Sequence, residues 1–232
     1  MNFRISSYIN ADNVTVQNGV ITGTTIGVPG AQVAIITDPS GTETLREGIV
    51  LRNLIIDARF AGLSLNSERR TLIDNVIVRN VESGNGISLN PNPVSTFSSG
   101  DNYATIVQNS VVMDVGGSCF FTATYSGSSS AVVALVFRNN IGLAAAVSGF
   151  AMGESPVGSV LLVGNKALNN TSSGIVATAS NNTGSFFVNN YVANTAIGPA
   201  SNYGLTLVPA TNYSQATVPK DWTFWQNLNP GI

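Results

Sequence analysis

The 232-residue sequence predicts an all-β solenoid, a coil of short strands stacked in about seven rungs. Three observations carry that expectation. An asparagine recurs beside apolar runs along most of the chain. The positions two before it and two after it are apolar in unit after unit. A glycine opens a further short apolar stretch in most units. Together they point to a single-stranded right-handed parallel β-helix with capped ends.

The asparagine segments are "VTVQNGVITG" around Asn18, "IVLRNLIIDA" around Asn53, "TLIDNVIVRN" around Asn75 and "TIVQNSVVMD" around Asn109. They continue as "LVFRNNIGLA" around Asn139, "LLVGNKALNN" around Asn165 and "FFVNNYVANT" around Asn189. The spacings are 35, 22, 34, 30, 26 and 24 residues. Two places before the asparagine stand Val16, Leu51, Ile73, Val107, Phe137, Val163 and Phe187. Two places after it stand Val20, Ile55, Ile77, Val111, Ile141, Ala167 and Tyr191. The residue just before it is mostly polar. An in-out alternation broken at the asparagine implies two short strands meeting at a bend.

The third strand follows as "GLSL" at Gly62, "GISL" at Gly86, "GFAM" at Gly149, "GIVA" at Gly174 and "GLTL" at Gly204. Its inward pairs are Leu63 and Leu65, Ile87 and Leu89, Phe150 and Met152, Ile175 and Ala177, Leu205 and Leu207. Asparagine suits the bend because it tolerates unusual backbone angles. Its amide can donate to the asparagine of the next rung, about 4.8 Å away. Asn18, Asn53, Asn75, Asn109, Asn139, Asn165 and Asn189 are therefore expected to form one ladder. Residues 1–13 are assigned to an N-terminal cap, 14–208 to the β-helix and 209–232 to a C-terminal capping tail, since open ends would expose core and strand edges.

These columns resemble those of the right-handed parallel β-helix superfamily, the pectate-lyase-like proteins, from about Val14 to Val208. The resemblance implies the fold. It leaves function wide, because that superfamily includes lyases, hydrolases, phage tailspikes, adhesins and inert surface proteins. The stretch "TAIGPASNYGLTLVP" and the later "DWTFWQNLNP" are loosely similar to β-helix repeat proteins of amoeba-associated intracellular bacteria and giant viruses.

Only 9% of the residues are charged, the net charge is −2 and there is no histidine. Without a basic stretch the chain does not suit nucleic acid. Without a run of about 18 apolar residues no membrane-spanning helix is expected. The opening "MNFRISSYIN" lacks the apolar core of a signal peptide, yet a neutral polar surface favours a cell-surface, extracellular or virion setting. Such a surface suits glycans or protein neighbours in an assembly, a homo-oligomer among them. The missing histidine excludes Ser-His-Asp triads and histidine metal sites, and neither cofactor nor metal is expected. Cys119, the only cysteine, lies in "CFF" and reads as a buried, inert thiol.

Lyases of the resembled superfamily use clustered aspartates for calcium with an arginine or lysine base, and its hydrolases use paired or tripled aspartates. Here the outward residues of the Gly-led strands are Ser64, Ser88, Ala151, Val176 and Thr206, with Phe120 or Phe121 in the irregular unit "GGSCFFTA". None of these can donate or take a proton near neutrality. The charges cluster earlier, and column position pairs Arg52 with Asp74 and Asp57 with Arg79 across rungs. Asp57, Arg59, Glu68, Arg69 and Arg70 form the alternative active site, that of a polysaccharide lyase or glycoside hydrolase. The longest loop, residues 90–104, offers Phe97, Asp101, Asn102 and Tyr103 as contacts for a glycan or a neighbouring subunit. The expected function is that of a non-enzymatic structural or surface module without catalytic residues.

Overall fold

The computed structural model describes residues 7–23, 33–37, 46–66, 68–90, 102–122, 132–152, 158–179, 186–193, 205–209 and 223–225. Among them there is no helix, and every strand pair is parallel. The chain opens with β1 (Ser7–Ile9), then β2 (Thr15–Gly23) and β3 (Val33–Thr37). The next two units hold β4 (Arg46–Glu47), β5 (Val50–Ala58) and β6 (Ala61–Asn66), then β7 (Glu68–Arg69), β8 (Thr71–Val81) and β9 (Ile87–Asn90). From there the long strand is split in two. The units become β10 (Asn102–Gln108), β11 (Val111–Val115) and β12 (Phe120–Thr122), then β13 (Val132–Arg138), β14 (Ile141–Ala145) and β15 (Ser148–Met152). They continue as β16 (Gly158–Val163), β17 (Lys166–Leu168) and β18 (Ser173–Ala179), then β19 (Phe186–Val188), β20 (Tyr191–Ala193) and β21 (Leu205–Pro209), before β22 (Thr223–Trp225).

Equivalent strands of successive units lie side by side. One eight-stranded sheet runs β1-β3-β6-β9-β12-β15-β18-β21. A twelve-stranded sheet starts from β2, β5 and β8 and then divides into two arms, β10-β13-β16-β19-β22 and β11-β14-β17-β20. A short β4-β7 pair forms a third sheet. The ends assigned to caps join this pattern: β1 pairs with β3, and β22 with β19. The side chains of "DWTFWQNL" lie outside the described residues.

The bend between the two arms has one backbone cause. Asn18, Asn53, Asn75, Asn109, Asn139, Gly164 and Asn189 share one register and all have φ between 51° and 64°. This left-handed conformation is costly for most L-residues and cheap for asparagine and glycine. Asn165 is therefore not in this column. Glycine meets the backbone demand one place earlier, so nothing polar marks the bend in that unit.

The polar ladder divides accordingly. Asn75 donates to Asn53 at 2.9 Å and Asn53 to Asn18 at 3.0 Å. Asn109 donates instead to the Asp74 carboxylate at 2.9 Å, a stronger acceptor than an amide. A second, buried ladder runs one place further along, through Ser110, Asn140, Asn165 and Asn190, all at most 1% exposed. Each Oδ1 of the three asparagines accepts the backbone N–H of its neighbour: Ser110 to Asn140, Asn140 to Asn165 and Asn165 to Asn190, each at 3.0 Å. Their Nδ2 groups donate to the carbonyls of Val107, Phe137 and Leu162, each at 2.9 Å. The bend pulls backbone groups out of the sheet ladder, and these amides satisfy them where water is excluded.

Side-chain direction follows the bend. Leu51, Ile73, Val107, Phe137 and Leu162, two places before the left-handed residue, are fully buried. The column two places after it points outward instead: Ile55, Ile77, Val111 and Ile141 are half-buried, and Val20 and Tyr191 are 42% and 36% exposed. The inward positions after the bend are the first and third, such as Val76 and Val78, both 0% exposed. The left-handed residue shifts the alternation by one, which a simple period-2 count does not foresee.

In the Gly-led strands Leu63, Leu65, Ile87 and Phe150 are fully buried, and Leu89 and Met152 nearly so. Phe120 and Phe150 stack with centroids 4.6 Å apart and planes 6° apart, and Phe137 meets both edge-on. Aromatic pairs of this kind add about 0.5–1.5 kcal/mol beyond their burial.

A second left-handed column follows the second arm: Asn80, Asp114, Ala144 and Asn169 share register with φ of 54–59°. Alanine is the misfit, since its Cβ carries the left-handed penalty without a compensating polar group. Ala144→Gly is expected to raise stability by roughly 0.5–1 kcal/mol. Urea denaturation measures it, and a lower midpoint would show that Ala144 is not strained.

Candidate functional site

Three places could carry chemistry: the Gly-led face, the thiol behind it and the charged belt of the early units.

The outward positions of the Gly-led sheet are Ser64, Ser88, Phe121, Ala151 and Val176, in register from strand to strand. Phe121 faces outward and Phe120 lies in the core. The side chain of Thr206 lies outside the described residues. Ser88 is only 8% exposed, and the described outward residues of this face are neutral.

Cys119 stands in the glycine column, in register between Gly86 and Gly149. Its side chain fits because Gly142 lies opposite; a Cβ on Gly142 would sit 3.2 Å from the Cys119 Cβ. The thiol is fully buried and donates to the Val112 carbonyl at 3.3 Å. Burial is the main cause that pushes its pKa from 9.0 up to about 12. A backbone hydrogen bond at Leu143 works against this shift, and the Asp114 carboxylate adds to it. The thiol therefore stays protonated and unreactive at neutral pH. Below about pH 9 the folded and unfolded states both keep the proton. Above that the unfolded thiol ionises first, so stability falls by about 1.4 kcal/mol per pH unit until the folded thiol ionises too. Compared with a Cys119→Ala variant, the wild type should lose stability faster between pH 9 and 12. It should also react with an aromatic disulfide reagent only in denaturant. Labelling of the native protein at the unfolded rate would contradict this.

The charged belt is distributed into pairs. Arg79 Nε donates to Asp57 Oδ2 at 2.9 Å, and the Asn80 amide reaches both Asp57 oxygens at 3.1 Å. Arg59 pairs with Glu82 at 2.8 Å and Arg70 with Glu47 at 2.7 Å. Arg52 and Asp74 share a register but not an ion pair. Arg52 donates to Gln17 at 2.6 Å, while Asp74 accepts from Gln108 and Asn109. Arg138 donates to Gln108 at 2.6 Å, extending this outer polar row.

Of the five residues of the alternative active site, Asp57 lies on β5 and Arg59 just after it. Glu68 and Arg69 form β7, whose backbone pairs with Arg46 and Glu47, and their side chains lie outside the described residues. Arg70 follows at a third left-handed corner, φ 54°. Asp57, Arg59 and Arg70 thus each engage a different partner. Among the described residues no group of three or more acidic, cysteine or histidine side chains is placed to hold a metal ion.

Of the proposed loop contacts, Phe97 and Asp101 lie outside the described residues. Asn102 and Tyr103 open β10, where their backbone pairs with Val132 and Val133, and their side chains are likewise outside the described part.

The fold and these faces define an all-β protein of stacked parallel strands. No protein-family model matches the chain, and no curated protein and no solved structure is significantly similar to it. Among the described residues no helix is long and apolar enough to cross a membrane.

Proposed function

We propose that the stacked units are about seven rungs of a right-handed parallel β-helix solenoid, akin in fold to the pectate-lyase-like proteins, and that the chain serves as a structural or surface module. The observation that carries the functional part is the engagement of the early charges. Asp57, Arg59 and Arg70, the described members of the alternative active site, each hold an ion-pair partner along the stack. A general acid or base must reach a substrate atom, and each of these side chains already pairs with an opposite charge of a neighbouring unit. Surface pairs of this kind contribute about 0–1 kcal/mol each, so their effect is to neutralise the wall more than to stabilise it.

Incubation with a panel of neutral and acidic polysaccharides, with and without calcium, tests the reading. No reducing ends and no unsaturated products are expected. Product release that disappears in Asp57→Asn or Arg70→Ala would replace the module with a polysaccharide lyase or glycoside hydrolase.

A further inference from the structure

We propose that Asn18 is a modification site. Its side-chain amide is lost in a spontaneous reaction with the backbone nitrogen of Gly19 and water, which leaves aspartate or isoaspartate at the start of the outer amide ladder. The site goes beyond the module reading and does not depend on it.

The Gly19 nitrogen gives up its proton to base and bonds to the Asn18 Cγ. The Cγ–Nδ2 bond breaks, ammonia leaves and a five-membered succinimide remains. Water then opens the ring. Cleavage of the new Cγ–N bond leaves aspartate. Cleavage at the Asn18 backbone carbonyl leaves isoaspartate, in which the main chain runs through the former side chain. Water is the only co-reactant. A following glycine favours ring closure, because it has no Cβ to obstruct the nitrogen and has the widest choice of backbone angles.

The chain has two Asn-Gly pairs, Asn18-Gly19 and Asn85-Gly86. The structure separates them. Asn85 is half-buried, and both of its reacting groups are tied to Ser118. Its Oδ1 accepts the Ser118 N–H at 2.8 Å, and the Gly86 N–H donates to the Ser118 carbonyl at 3.0 Å. Gly86 is buried, and the strand it leads, β9, is held between β6 and β12. Asn18 and Gly19 are both exposed. A Cβ at Gly19 would meet only the Leu54 side chain, at 3.8 Å, so the space around the pair is open. β2 pairs with β5, and no other strand of the described residues joins it.

Asn18 is left-handed, φ 58°, and its Oδ1 accepts the Asn53 amide at 3.0 Å. Ring closure requires a turn about the Cα–C bond and release of Asn53, so local opening of β2 sets the rate. Opening a strand held along one edge releases fewer bonds than opening one held along both.

The two products differ in what they do to the stack. An aspartate at this position keeps the main chain and offers Asn53 a carboxylate, the stronger acceptor that Asp74 already offers Asn109. An isoaspartate lengthens the main chain inside β2 and shifts the Gly19–Gly23 part of the strand against its partners Leu54–Ala58.

The test follows both peptides of the full chain by mass spectrometry during incubation in mildly alkaline buffer, folded and in guanidinium chloride, with isoaspartate separated from aspartate by chromatography. In denaturant the two pairs should lose ammonia at similar rates. In the folded protein Asn18 should slow by about tenfold or less and Asn85 by about a hundredfold or more, the difference between opening an end strand and an inner one. Gly19→Ala has room for its Cβ, so it should fold normally and slow the reaction at Asn18 by about tenfold or more. Loss at Asn85 as fast as at Asn18 in the folded protein, or an unchanged rate at Asn18 in Gly19→Ala, would overturn the proposal.

Discussion

Gly86→Ala is expected to cost about 3 kcal/mol, at the upper end for overpacking a rigid site. In a chain of this length that lowers the melting temperature by roughly 6–12 °C. A Cβ at Gly86 would lie 2.1 Å from the Val112 Cγ1 and 2.8 Å from the Cys119 carbonyl oxygen. Neither neighbour can move cheaply. Val112 is fully buried, and the Cys119 carbonyl accepts the Ile87 N–H at 2.9 Å, a bond that ties β9 to the next unit. Gly62 meets the same obstacle one unit earlier, with the Gly86 carbonyl 2.3 Å from its would-be Cβ. The glycines that open these strands are therefore required by the approach of the two sheets, not by a turn. Gly19→Ala is the control, because its Cβ would find only the Leu54 side chain, at 3.8 Å. That change should be neutral or stabilise by a few tenths of a kcal/mol through the unfolded state. Thermal melts of the two variants decide the matter, and equal melting temperatures would refute it.

Asn165→Leu is expected to cost about 3–5 kcal/mol, against roughly 1 kcal/mol for Asn109→Leu. Both side chains are amides beside a bend, and burial separates them. Asn165 is 1% exposed and its side chain joins four hydrogen bonds: it accepts from the backbone and side chain of Asn140 and donates to the Phe137 carbonyl and the Asn190 amide oxygen. Leucine would strand the buried Asn140 N–H and break the row in its middle, and an orphaned group of that kind costs about 1–3 kcal/mol. Asn109 is exposed, so water replaces its bond to Asp74, and the variant mainly loses the residue's tolerance of positive φ. Urea denaturation of both variants gives the comparison. Similar midpoints would mean that the buried row does not bear on stability.

The sequence made the parallel all-β character legible because apolar columns survive variable spacing. The inward pairs from Leu63 to Met152 were readable from alternation alone. Three things were hidden. Gly164 takes the bend silently, and the neighbouring Asn165 imitates the missing anchor, although the doublets Asn139-Asn140 and Asn189-Asn190 and the 25-residue step from Asn140 to Asn165 to Asn190 carry the signal for a second row. The side faced by Val20 to Tyr191 depends on how one left-handed residue turns the chain, which composition does not encode. Cys119 occupies a glycine position only because Gly142 vacates the space opposite, a compensation visible only when two sheets are placed against each other. The early charges were legible as a group, but their partition among Glu82, Glu47 and Arg79 depends on three-dimensional reach.

The equal 25-residue steps of the buried amide row also govern how the chain can change length. Excising residues 140–164 would join Asn139 directly to Asn165, which carries the same side chain as the residue lost and the same hydrogen-bonding duty. The storey above would settle onto the storey below with its facings intact. A cut of 24 or 26 residues would send Ala167 and its neighbours to the opposite side of the wall. Between the bend and the strand that follows it the register is thus strict, whereas the connections outside the strands absorb units that differ in length from 22 to 35 residues; on the solenoid reading proposed above, height would vary in steps of about 4.8 Å.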